Sequence, residues 1–120
     1  MGRVVVGGAQ GNENPDAVVT AYLVAGAALD RGDEVVMWLT SEGVRLATDG
    51  YVAPMREGME PPVERVHQQF IEKGGRFYVC PVCFNEREDV SEDDLVENAE
   101  LKGATPLLEF TANGATVFNH

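Results

Sequence analysis

Arg3-Val4-Val5-Val6-Gly7-Gly8 is a continuous β-branched run near the start of the chain. It lacks the apolar–polar alternation of a half-buried strand, so it reads as a strand covered on both faces, as in a parallel sheet. The next segment reads as a crossover helix. Asn14-Pro15-Asp16 supplies an N-cap, a proline at the first helical position and an acid beside the positive helix end, and Gly32 closes the segment. The pattern predicts a helix over 15–31 whose apolar side is Ala17, Ala21, Ala25, Ala28 and Leu29, small residues that allow close packing on a sheet.

The same alternation continues outward. Glu34-Val35-Val36-Met37-Trp38-Leu39-Thr40 predicts a second buried strand, and Ser41 to Thr48 a short helix with Glu42 in its first turn. From Asp49 to Pro62 the glycines and prolines leave no sustained period, so this is a long loop of the kind that forms lids or contact surfaces. Val63, Val66, Phe70 and Ile71 recur at helical spacing up to Gly74, and Arg76-Phe77-Tyr78-Val79-Cys80 predicts a third strand. Ser91 and Asp94 form a capping box for a short acidic helix. A brief strand over 99–103, a helix over 104–112 and a closing strand over 115–119 complete the reading. Together they predict a single-domain three-layer α/β/α fold on a mostly parallel five-stranded sheet, with right-handed crossovers.

Bulk properties narrow the function. A chain of 120 residues with 44% apolar residues is one domain able to bury a core. Twenty acids against nine bases give a formal charge of −11, which repels nucleic acid and anionic membrane surfaces at long range. No stretch is long and apolar enough to span a bilayer. Met1-Gly2-Arg3 leads straight into strand-like sequence rather than a signal segment, so the expected location is the cytoplasm.

The chemistry is expected at Cys80-Pro81-Val82-Cys83. A helix starting at Pro81 makes Cys80 its N-cap and Cys83 its third residue, with Pro81 where a missing N–H costs nothing. Unpaired backbone N–H groups and the helix dipole then favour thiolate at Cys80, the form that attacks sulfur. Cys83, one turn on, is placed to act as a resolving thiol or to share a disulfide. Structural zinc needs four ligands, and beside the two cysteines only His67 and His120 remain; His67 sits among Val63, Val66 and Phe70 on a helix, where it reads as a packing or surface residue, so no metal is expected. Gly7-Gly8-Ala9-Gln10-Gly11-Asn12 lacks both the Gly-Lys-Ser/Thr ending and the G-x-G-x-x-G spacing, so it reads as a tight βα turn; no cofactor is expected. The acids between Glu86 and Glu100 form a solvated face that would oppose a thiolate, while Arg87 and the helix end would favour one.

Tyr78-Val79-Cys80-Pro81-Val82-Cys83, with the Gly7-Gly8-Ala9 strand end and the tail Gly114-Ala115-Thr116-Val117-Phe118, resembles the DsrE/DsrF/TusD-like family of sulfur-relay proteins, in particular its YchN-like branch. In that branch the motif is followed, after three residues, by Arg-Gly; here Arg87 keeps its place but Glu88 replaces the glycine. The resemblance implies that Cys80 accepts sulfur as a persulfide, that Cys83 is the extra cysteine of the branch, and that the topology is flavodoxin-like without flavin. It also implies homo-trimers or homo-hexamers, and sulfur-donor and sulfur-acceptor proteins or small thiols as partners. The leading expectation is therefore a sulfur carrier with Cys80, Cys83 and Arg87 at its site. The rivals are a thiol–disulfide redox protein and a non-catalytic oligomeric subunit that binds a partner.

Overall fold

Five parallel strands lie in the order β4-β3-β2-β1-β5 in the computed structural model, which describes residues 2–120. In chain order the regular elements are β1 (Arg3–Gly8), α1 (Pro15–Asp30), β2 (Glu34–Leu39), α2 (Val63–Glu72), β3 (Arg76–Val79), α3 (Pro81–Asn85), β4 (Ala99–Leu101), α4 (Ala104–Thr111) and β5 (Thr116–Asn119). The expected short helix after β2 is a 3₁₀ segment, Ser41–Ala47, and the capping box of Ser91 and Asp94 opens a single 3₁₀ turn, Glu92–Asp94. The sheet is parallel at every pairing rather than mostly so.

The order explains the layers. From β1 to β4 each crossover steps the same way, and only the last one reverses to place β5 on the other side of β1. With one hand of crossover, the helices of the early steps fall on one face and the helix of the reversed step falls on the other. Accordingly α1 and α2 pack on Val4, Val6, Val35, Met37, Leu39, Phe77 and Val79, while α4 reaches the opposite face through Phe110 on Val5 and Val36. The second layer is thin, and Trp38 and Tyr78 are left half-buried on it.

Local chemistry sets the element ends. Asn14 Oδ1 accepts the Ala17 N–H, Pro15 starts α1, and Gly32 beyond its end takes the positive φ of 95° that glycine tolerates best. The 49–62 segment is a series of turns, as its composition predicts, but it is not loose. Val52 and Met55 are buried in the main core, and the Arg56 guanidinium holds Asp16 at the start of α1 and the carbonyls of Glu60 and Pro61.

His67, on α2, points inward. Its ring stacks on Phe77, and its Nδ1 shares a hydrogen bond of 2.6 Å with the Tyr22 hydroxyl. Burial holds the Tyr22 phenol protonated and pulls the imidazole pKa down to about 4. Below the ordinary imidazole pKa of about 6.5 the unfolded chain therefore binds a proton that the folded one refuses. Stability is expected to fall by about 1.4 kcal/mol per pH unit from pH 6.5 towards pH 4, with no contribution from this group above 6.5. Urea unfolding across that range checks this: His67→Phe should flatten the slope relative to wild type, and parallel slopes would exclude the assignment.

Candidate functional site

Cys80 stands where β3 ends. Its N–H still donates to the Leu39 carbonyl at 3.0 Å, so the sheet ladder fixes its backbone, and its own carbonyl accepts the Phe84 N–H at 2.9 Å as α3 begins. Its φ and ψ of −62° and 117° are those of an extended N-cap, and Pro81 occupies the first helical position. The side chain caps no backbone group and is half-buried. Strand alternation puts Cys80 on the face of Tyr78. Cys83 is also half-buried, but it packs against the main core on the α1 and α2 face, beside the fully buried Phe84. Both thiols are free.

Arg87 lies close to the motif but is committed elsewhere. Its Nη1 donates to the Cys83 carbonyl at 2.8 Å and its Nε to Glu42 Oε2 at 2.7 Å. Glu42 Oε1 accepts from Arg45 Nε at 2.8 Å, and Arg45 Nη1 reaches Asp89 at 2.7 Å. Hydrogen bonds from Arg45 and Arg87 hold the Glu42 carboxyl below its ordinary pKa, and Arg45 does the same for Asp89. The chain of ion pairs latches the end of α3 to the 3₁₀ segment after β2. That segment sits so tightly on β1 that a Cβ at Gly43 would come within 2.0 Å of the Gly8 carbonyl oxygen, so only glycine fits beside Glu42.

Glu88, which replaces the glycine of the resembled motif, needs no special backbone: among the described residues the non-glycine residues with positive φ are Ser41 and Arg56. The latch, rather than a glycine, shapes the turn after α3.

Two residues near the site escaped sequence reasoning. Glu42 reads as an ordinary first-turn acid, and nothing local shows that it bridges two arginines. Lys102, just beyond β4, donates its N–H to the Val79 carbonyl at 3.0 Å. Its ammonium lies 5.4 Å from the centre of the Tyr78 ring and 3.7 Å from Glu100. The register Tyr78↔Glu100 and Val79↔Leu101 would have revealed it, but register is not written in a three-residue strand. At the strand ends nearer the chain terminus, Gly7, Gly8, Gln10, Trp38, Thr40, Asn119 and His120 line an open cleft of about 420 Å³. Among the described residues no three His, Cys, Asp or Glu side chains converge in a way that could hold a metal.

A doubly wound parallel sheet defines an α/β protein; the candidate thiol stands at the carboxyl edge of that sheet, two strands from the point between β1 and β5 where the strand order reverses. The DsrE/DsrF-like family model matches residues 4–120, and the chain belongs to that family, which is broadly linked to sulfur relay. Solved structures with the same fold include the YchN protein of E. coli, at 14% identity and a TM-score of 0.78 with both chains covered in full. MTH1491 of Methanobacterium thermoautotrophicum matches at 15% and 0.70, again over the whole of both chains. BT1422 of Bacteroides thetaiotaomicron matches at 17% and 0.65, over 98% of this chain and 94% of that one. No curated protein sequence matches significantly. No helix among the described residues is long and apolar enough to cross a membrane.

If Arg87 is the latch, Arg87→Ala should release α3 without unfolding the sheet. A partly buried charged contact of this kind is worth about 1–2 kcal/mol, or roughly tenfold in local opening. Hydrogen exchange at the amides of residues 84–90 should accelerate about tenfold while those of β1 and β2 stay unchanged.

Proposed function

We propose that this protein is a sulfur carrier in which Cys80 takes up a sulfane sulfur as a persulfide and passes it to another thiol. The reading rests above all on one observation: a half-buried, uncommitted thiol at the carboxyl end of an interior strand, in a family linked to sulfur relay. The Cys80 thiolate attacks the outer sulfur of a donor R–S–SH. The bond between the two donor sulfurs breaks, the donor leaves as R–S⁻ with the electron pair, and Cys80 is left as Cys–S–SH. Delivery repeats the exchange with an acceptor thiolate as nucleophile and returns Cys80 to thiolate. Each step moves one neutral sulfur atom between thiolates, so the cycle calls for no redox cofactor and no metal.

Cys83 is the second thiol, one turn along α3, and it limits the lifetime of the persulfide by competing for its sulfur. Arg87 belongs to the site as a positioning residue: by gripping the Cys83 carbonyl it fixes the turn on which both thiols sit. Donor and acceptor are other proteins or small thiols, approaching past the exposed Val82. The place of action is the cytoplasm, whose reducing poise keeps both thiols free. Copies associate as trimers or hexamers. In support, Leu108, Val117 and Phe118 are exposed apolar side chains, and β5 presents an unpaired edge.

Incubation with a persulfide donor followed by site-resolved mass spectrometry should add one sulfur to Cys80. Cys80→Ser should abolish that gain, whereas Cys83→Ser should acquire the sulfur and keep it longer. A protein whose Cys80 gains nothing is not a sulfur carrier. For the assembly, Leu108→Glu with Val117→Asp should lower the mass seen by light scattering to that of a monomer.

A further inference from the structure

We propose that Lys102, rather than Arg87, is the cation that stabilises the sulfur anion on Cys80. The inference rests on the carrier reading and assigns the charge that the reading requires. The backbone places the pair. Tyr78 is the register partner of Glu100 and Val79 of Leu101, and the bonds Lys102 N–H to Val79 O and Cys80 N–H to Leu39 O, both 3.0 Å, carry the ladders one residue further. Lys102 is therefore the neighbour of Cys80 across two strands roughly 4.8 Å apart. Alternation aims both side chains to the face of Tyr78 and Glu100, and the contacts of the Lys102 ammonium with those two residues agree.

The inventory of charge separates Lys102 from every other base. Among the described residues, the arginines and Lys73 each hold a carboxylate in an ion pair of 3.2 Å or less. Lys102 stands 3.7 Å from Glu100 Oε2, beyond hydrogen-bond length, and Arg76 already occupies the other oxygen of that carboxylate. Arg87, the cation nearest in sequence to the motif, has its Nε on Glu42 and its Nη1 on the Cys83 carbonyl.

An ammonium on a flexible stem, resting on an aromatic face, can turn to a new anion by changing rotamer. When Cys80 carries Cys–S–S⁻, a Lys102 N–H donates to the terminal sulfur. The proton stays on nitrogen and no bond to sulfur forms or breaks. In a protein of charge −11, one local cation also admits an anionic donor that the general field would repel.

The test compares alkylation of Cys80 by anionic iodoacetate and neutral iodoacetamide, followed by peptide-resolved mass spectrometry, in wild type, Lys102→Met and Lys102→Arg. The ratio of the two rates reads charge beside the thiol and is insensitive to a merely structural role. Lys102→Met is expected to lower the ratio about fivefold at low salt, with Lys102→Arg within about twofold of wild type. Loading of Cys80 by glutathione persulfide should slow in parallel. An unchanged ratio in a folded Lys102→Met protein overturns the assignment, as does Lys102→Arg behaving like Lys102→Met. If wild-type Cys80 loads but the ratio does not move, the lysine is wrong and the carrier stands. If the ratio falls but Cys80 never loads, the lysine is rightly placed and the carrier reading fails.

Discussion

The position of Cys80 depends on a hydrogen-bond ladder that outlasts the strands forming it. β1, β2 and β3 pair in register through Val4↔Val35, Val6↔Met37 and Leu39↔Val79, and the ladder runs on past their ends through Thr40 N–H to Gly8 O and Cys80 N–H to Leu39 O. Every backbone group in this interior must be paired, since an orphan would cost as much as a lost hydrogen bond. A reactive side chain placed there inherits the rigidity of the whole sheet. The constraint falls on composition: the strand positions buried beneath α1 and α2 are taken by Val, Met, Leu and Phe.

Charge sets the second constraint. With twenty acids and nine bases, the chain cannot pair its carboxylates one to one, and most of its cations are engaged as staples between elements. Arg56 ties the 49–62 turns to α1, Lys73 ties α2 to Asp30, and Arg45 with Arg87 ties α3 to the 3₁₀ segment through Glu42. Exposed pairs such as Lys73–Asp30 contribute little each, but Arg45 and Arg87 are largely shielded and linked in series through Glu42, where geometry matters more than count. The arginine nearest the cysteines in sequence is consequently the wrong place to look for free positive charge.

Much of this was legible in the sequence, and the misses share a cause. The unbroken valine run, the Asn14-Pro15-Asp16 cap and the Cys80–Pro81 junction specify their structures locally, so β1, α1 and the start of α3 fall where the residues indicate. Cys80 and Cys83 were legible as a pair, but not that one lies on the face of Tyr78 while the other packs on the opposite core. Val52 and Met55 were hidden among glycines and prolines that correctly signal turns but say nothing about burial. The Glu42–Arg87 contact spans 45 residues and the pairing of β3 with β4 sets where Lys102 stands; both are products of topology, which local pattern does not carry.

The unequal layers leave the candidate site thinly covered on one face. α1 and α2 seal one face with a continuous apolar core, whereas the other face has α4 alone, docked through Phe110 near the middle of β1 and β2. Towards the carboxyl ends that second face is left to Trp38, Tyr78 and the cleft beside Asn119, while Cys80 and Lys102 follow directly on the ends of β3 and β4. A thiol buried deep on the sealed face would be shielded from any partner; one on an edge strand would lose the ladder that positions it. An interior strand ending on the thinly covered face satisfies both demands at once, and β3 meets them because β4 pairs along its outer edge while the face of Tyr78 carries α4 alone.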